Sequence, residues 1–370
     1  MKKSKGLFSF YGLAFTQVAL STAIVAYMEL VLGRAGYTAM GSWQFYVLHL
    51  LFLLPCVLLI TPSGYFSDKF PKERVLRWTT LLSLPAVVLF GYGVCTASLP
   101  LEFLSVGLFF VLQAFQSPAK NGYMKELVGV RSLAQGSGAL MILLFAALVL
   151  RGGLVAYAYE HMMPMSGDLS ESVQAFAPVG GTLIALELLG ILFSFGLPPI
   201  GAYDAELKFP WKRYWNLLFT RRKLSKLWVN RALRQSIIGL SMFWVMIFLL
   251  VFIIQDLFGS GSLFNRDILA NYAIFGTALG LVVGIFFAMR MSRNFIETGL
   301  IPMGTAGAAI LIFLIPFIPR PYNAIAFTLL GFCGGIYIIG MHTTCPHCGA
   351  ALPAHHYIKD EQGNVVELLK

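Results

Sequence analysis

Among the ionisable side chains inside long apolar runs, where water is not at hand, are Glu29, Arg151 and Glu187. A charge at the centre of a bilayer is costly, so an intramembrane acid or base is a functional candidate by default. Glu187 falls in the middle of the run Pro178–Leu197, and Arg151 toward the far part of the run Leu133–Tyr157. A pair between them has two readings: it lines a cavity, or it locks two helices together. Glu29 ends the first run and reads either as a cation-handling group or as an interfacial residue. A second constellation is Gly64-Tyr-Phe-Ser-Asp68-Lys69-Phe-Pro-Lys72-Glu-Arg74. Its glycine permits close helix approach. Asp68 beside Lys69 and Arg74 offers an ion pair that can hold one conformation and release another. The third is Cys345-Pro-His347-Cys348-Gly349, with His342, His355 and His356 nearby. CxxCG is the turn of a zinc knuckle, so zinc is a candidate ligand for Cys345, Cys348, His342 and His355. The other reading is a reduced thiol pair in a loose tail.

The elements that must hold these groups follow from solvent. Hydrophobic residues make up 58% of the 370, charged ones 12%, and the mean hydropathy is +0.75. A soluble globule carries about a quarter charged residues, and one this apolar would aggregate. Runs long enough to span a bilayer are Leu7–Leu32, Trp43–Pro62, Val75–Thr96, Leu101–Gln116, Leu133–Tyr157, Pro178–Leu197, Ile237–Phe258, Ile268–Met289, Leu300–Ile318 and Tyr322–Met341. The expected fold is an all-α polytopic membrane protein of about ten helices.

With the N-terminus inside, all but Arg34, Arg151, Arg266 and Arg320 of the 27 Lys and Arg fall on the inner side. Cytoplasmic loops retain such residues, so a cytoplasmic N-terminus is expected. The net charge of +10 then points to anionic lipid rather than nucleic acid. Cys56, Cys95 and Cys333 lie in apolar runs and read as inert small hydrophobes. Residues 201–233 are basic and Trp-rich, and read as a cytoplasmic linker, either a helix on the inner membrane surface or a solvated segment. The expected organisation is a six-helix half over 1–200, this linker over 201–233, a four-helix half over 234–341 and a tail over 342–370. A faint repeat relates Gly64-Tyr-Phe-Ser-Asp68 to Gly284-Ile-Phe-Phe-Ala288, each followed by basic residues.

The Gly64–Arg74 segment resembles the loop 2–3 signature of the major facilitator superfamily. Phe115-Gln-Ser117-Pro118-Ala119-Lys120-Asn-Gly122-Tyr-Met-Lys125-Glu126-Leu127-Val128 is similar to a segment of its lysophospholipid transporter branch, which includes the transporter portion of fused acyltransferase/acyl-carrier-protein synthetase proteins. Further matches run through Arg231–Trp244, Arg293–Gly304 and Gly334–Ile338. The resemblance implies alternating access between two bundled halves, with lysophospholipid crossing a bacterial inner membrane. It makes Gly64, Asp68, Lys69 and Arg74 the conformational gate. It makes Lys120 and Arg234 candidates for the substrate phosphate, beside Glu187, Arg151 and Glu29. Near Ile24 the family's mid-membrane Asp-Asn of span 1 is missing.

The family plan has twelve spans and this sequence shows ten, so the expectation is a plan cut short after Met341, with either reduced stability or dimerisation to cover the gap. Two alternatives remain. One is a facilitator of another small amphipathic solute, and the other is a transport-inactive membrane protein whose tail binds metal or a partner. His355-His-Tyr-Ile-Lys-Asp360 matches an HxxxxD acyltransferase pattern, but that chemistry needs a whole domain around it. No enzyme and no cofactor besides the tail's zinc is expected.

Overall fold

A computed structural model defines residues 2–34, 43–96, 98–128, 136–147, 177–201, 206, 234, 238–239, 241–243, 245–246, 268–291, 300–342, 357–359 and 365–367. They divide into two compact units: Met1–Leu127 with Ala146–Leu218, and Val128–Phe145 with Phe219–Lys370. The division falls inside the expected linker, and the stretch Val128–Phe145 groups with the second unit. Of the linker itself, only 201 and 206 are among the described residues.

In the first unit, α1 (Lys2–Arg34) runs for 33 residues, about 50 Å at 1.5 Å per residue. The next expected span is broken. α2 (Trp43–Leu58) and α3 (Ile60–Lys69) meet at Leu59 with a bend of 53°. Pro62 is the cause we assign, because it has no N–H to give the Leu58 carbonyl and its ring crowds that turn. α4 (Lys72–Cys95) matches its apolar run and carries Pro85 within it.

α5 (Leu99–Val128) does not stop where the apolar run stops, at Gln116. It continues through Pro118 for another three turns. The reason is amphipathic: Ala119, Tyr123, Met124 and Leu127 are buried on one side while Asn121 and Lys125 are exposed. This is the i, i+4, i+5, i+8 pattern of a helix with one wet face. Lys120 and Lys125 therefore sit on a helix and not in a loop between spans. α6 (Gly136–Ala147) is the described part of the expected fifth span.

α7 (Ala177–Phe195) packs against α4 and α1. The closest approach is backbone to backbone: a Cβ on Gly180 would stand 3.2 Å from the Cα of Gly91 on α4. Phe52 and Phe66 tie the bent α2–α3 span to α5 through edge-to-face contacts with Phe110 and Phe115, at 5.0 and 5.5 Å between ring centres.

In the second unit, residues 234, 238–239, 241–243 and 245–246 are helical, on the expected seventh span. α8 (Ile268–Met291) and α10 (Arg320–His342) pack along their lengths, and α9 (Leu300–Leu314) packs on α10. A short 3-10 turn, Ile315–Phe317, finishes the α9 span. Gly276, Gly280 and Gly284 recur every fourth residue on α8, facing Gly331 and Gly335 on α10. A Cβ on Gly280 would come 2.9 Å from the Phe332 nitrogen, and one on Gly335 2.8 Å from the Ile285 nitrogen. Small residues at this spacing let two helix backbones touch.

The glycine expected to act alike at the other end of the repeat does not. Among the described residues, no atom beyond its own helix backbone stands within 4 Å of where a Cβ on Gly64 would be, so no close helix approach is seen there.

Two short strands, β1 (Tyr357–Lys359) and β2 (Val365–Glu367), pair antiparallel in the tail with Ile358 opposite Val366. They add a hairpin to an otherwise helical fold. Large apolar side chains point outward in both units, Leu192 67% exposed and Phe317 74%. That surface suits lipid tails.

The glycine contact makes a stability prediction. Gly280→Leu has to push two backbones apart and is expected to cost about 1–3 kcal/mol, read as a lower thermal unfolding midpoint in detergent. Gly64→Ala, inside α3 with open space for its methyl, should not lower the midpoint and is expected to raise it slightly.

Candidate functional site

The end of the first unit that carries Lys69, Lys72, Arg74 and Arg77 is held by four separate contacts. Lys72, whose side chain is 5% exposed, bonds Glu126 Oε1 of α5 at 2.5 Å, while Glu126 itself is 33% exposed. The Lys72 stem lies against Gly122, where a Cβ would come within 2.7 Å of Lys72 Cε. Next along α4, Glu73 Oε2 accepts the backbone N–H of Ile200 at 3.1 Å. Tyr123 Oη donates to the Pro198 carbonyl at 2.9 Å. The Arg77 guanidinium lies 5.0 Å from the centre of the Phe195 ring. The chain leaving α7 is thus fastened to both α4 and α5.

The expected gate residues surround this latch without forming it. Lys69 Nζ donates to Tyr65 Oη at 2.8 Å, one turn back on its own helix, and lies 5.3 Å from that ring's centre. Asp68 and Arg74 are exposed. Among the described residues no ion pair joins Asp68 to Lys69 or to Arg74; the ion pair at this end is Lys72–Glu126.

Further along α5, Lys120 is half-buried, and among the described residues its ammonium has no hydrogen-bond or ion-pair partner. Gln113 lies seven residues before it, two helical turns and so on the same face, about 10 Å away along the axis. Gln113 opens a polar cluster in the bundle interior. Its Nε2 donates to Gln17 Oε1 of α1 at 2.5 Å, and Gln17 Nε2 donates to Glu187 Oε2 of α7 at 2.8 Å. Ser83 Oγ of α4 donates to Glu187 Oε1. Gln116 Nε2 donates to Thr80 Oγ1 at 3.0 Å, and Gln116 Oε1 is buried without a partner. The cluster nests against Gly190, where a Cβ would stand 3.0 Å from Gln17 Nε2.

Glu187 thus bonds Gln17 and Ser83, and it is 0% exposed. Arg151, its expected partner, lies outside the described residues. Glu29 is on α1, with its side chain outside the described part. Arg234 is helical and half-buried in the second unit. His342 ends α10 with its side chain outside the described part, and Cys345, Cys348 and His355 lie outside it altogether. Among the described residues no group of three or more His, Cys, Asp or Glu could hold a metal ion.

Sequence reasoning missed Lys72 and Glu126 as partners, because 54 residues separate them. It also missed Gln17, Ser83 and Gln113, although amides recurring in apolar runs were the available signal. Glu102, 0% exposed with neither carboxylate oxygen hydrogen-bonded among the described residues, was not singled out.

The latch predicts an asymmetry. Glu126→Gln leaves a buried ammonium without its counter-charge and should cost about 1–3 kcal/mol. The double variant Lys72→Met/Glu126→Leu should cost less than either single one. Thermal unfolding of the four proteins in detergent measures the coupling.

No protein-family profile matches the sequence. Over 320 residues it is 27% identical to the lysophospholipid transporter LplT of Photorhabdus laumondii, covering 83% of this chain and 72% of that one. It is 26% identical to the LplT of Shigella flexneri over 315 residues, 81% of this chain and 70% of that one. Among solved structures, the major facilitator superfamily transporter FucP in its outward conformation superposes with a TM-score of 0.64 at 14% identity, over 90% of this chain and 84% of that one. The chain is therefore a multi-pass membrane protein with the major facilitator fold, related in sequence to the lysophospholipid transporters.

Proposed function

We propose that this protein moves lysophospholipid across a bacterial inner membrane by alternating access, with its N-terminus in the cytoplasm. The single observation that carries the reading is Lys120: a half-buried cation without a partner among the described residues, on a helix of an apolar bundle. A lysophospholipid is an apolar chain with an anionic phosphate, and it needs one such cation beside an apolar surface. The relatives named as lysophospholipid transporters support the same substrate class. Arg234 in the second unit is the second candidate for the phosphate, and Arg151 and Glu29 remain candidates on their sequence positions. Gly64, Asp68, Lys69 and Arg74 are assigned to the gate, with Lys72–Glu126 as the pair that fixes it in one state.

The tail carries a separate proposal, zinc bound through Cys345 and Cys348 with His342 and His355. Metal analysis of the purified chain tests it: stoichiometric zinc is expected, and Cys345→Ser should abolish it.

Transport is tested by following labelled lysophosphatidylethanolamine across proteoliposome bilayers. The wild type should move it faster than empty liposomes. Lys120→Ala should reduce the rate at least about tenfold, the worth of one charge-assisted hydrogen bond, and Lys120→Arg should restore most of it. Folded protein that moves no label rejects the reading, and a Lys120→Ala rate equal to wild type removes Lys120 from it.

A further inference from the structure

Glu187 has partners that can serve its carboxyl with or without a proton. In the arrangement described, Gln17 Nε2 donates to Oε2 at 2.8 Å and Ser83 Oγ donates to Oε1. Both partners are reversible. A glutamine amide turned over presents oxygen where nitrogen stood. Gln17 can then accept from a protonated Glu187, and Gln113, turned likewise, accepts from Gln17 in place of donating to it. Ser83 also reaches the Thr80 carbonyl, at 2.9 Å, so its hydrogen has a second resting place when Oε1 carries one of its own. The protonated and deprotonated carboxyls keep the same set of bonds.

Two details separate this cluster from a fixed structural pin. A pin needs one polarity and closed bonding, whereas here Gln116 Oε1 is buried and unpartnered, one open acceptor in the same cluster. Gln113 is also half-exposed, while Gln17, Ser83 and Glu187 are enclosed at 1%, 1% and 0%. The cluster therefore has a single member open to its surroundings, on the face of α5 that carries Lys120.

The charges on every element packed around Glu187 lie elsewhere. On α1 the described one is Lys5. On α4 they are Lys72, Glu73, Arg74 and Arg77, all in its first two turns. On α5 they are Glu102 near its start and Lys120, Lys125 and Glu126 near its end, and α7 has none besides Glu187. Lys120 is the nearest to Gln113 along α5. Among the described residues no fixed charge is bonded to the Glu187 carboxyl, whose partners are Gln17 and Ser83.

We infer that Glu187 is a proton-binding site, exchanging on the Gln113 side and coupled along α5 to an anion bound at Lys120. The proton site stands on the cluster's geometry, and only the coupling rests on the transport reading. Infrared difference titration of the full chain in nanodiscs tests the site without any substrate. A protonated-carboxyl band should appear as the pH falls, following a one-proton curve. It should be absent in Glu187→Gln, which keeps the side chain's size and, with one partner turned over, both hydrogen bonds. It should persist in Glu102→Gln and move in frequency in Ser83→Ala. An unchanged titrating band in Glu187→Gln overturns the proposal. If that variant does not fold, an unmoved band in Ser83→Ala overturns it instead.

Coupling is read in two ways. Lysophosphatidylethanolamine should shift the band's midpoint in wild type and not in Lys120→Gln. Wild-type flipping should also change about tenfold per pH unit on the limb where the site titrates. A titrating band with no lipid movement at any pH keeps the proton site and rejects the transport reading. Lipid movement that ignores pH, with the band intact, rejects the coupling alone.

Discussion

A polar side chain enclosed in a membrane bundle has only the protein to bond to, and the first unit is arranged around that constraint. Its polar residues are gathered rather than scattered. One group lies mid-bundle, where α1, α4, α5 and α7 each contribute to the bonds around Glu187 and Thr80. The other lies at the basic end, where Lys72, Glu73 and Tyr123 each find a partner on another segment. Between them the helices meet through apolar side chains and glycines. Among the described residues, the Lys120 ammonium lacks the ion-pair partner that Lys72 has.

The same constraint explains why two stretches that look alike only as motifs belong together. Lys72 closes the first motif and Glu126 the second, and Gly122 is what lets the lysine stem cross to reach its carboxylate. A side chain at 122 would occupy the trough. The invariant feature of this arrangement is one contact, written in two places along the chain. The peptide that follows α7 is tied into it through Glu73 and Tyr123, so a change in this corner reaches the segment leading toward the second unit.

Much of the fold was legible because apolar runs are a direct record of where lipid is. α1, α4, α7, α8 and α10 begin and end within a few residues of the runs that announced them. The record fails where hydropathy and hydrogen bonding part company. α5 continues past its apolar run because a helix needs only one buried side, and the α2–α3 span breaks inside an apolar run because proline lacks a hydrogen. The site was legible in kind and not in pairing. Glu187 and Lys120 are out of place in their surroundings, and a single sequence reveals that. The partner of Glu187 comes from 170 residues away, and no local pattern encodes which polar side chain will arrive.

The contact between α8 and α10 has a mechanical meaning as well as a structural one. Side chains that interlock can repack by changing rotamer, but where Gly280 and Gly284 meet the α10 backbone at Thr328 and Phe332 there is little side chain to rearrange. Two helices joined in that way have no gear to slip: they tilt together or not at all. Any rocking of the second unit therefore has α8 and α10 as one stiff lever, and its give must come from the elements packed around that lever.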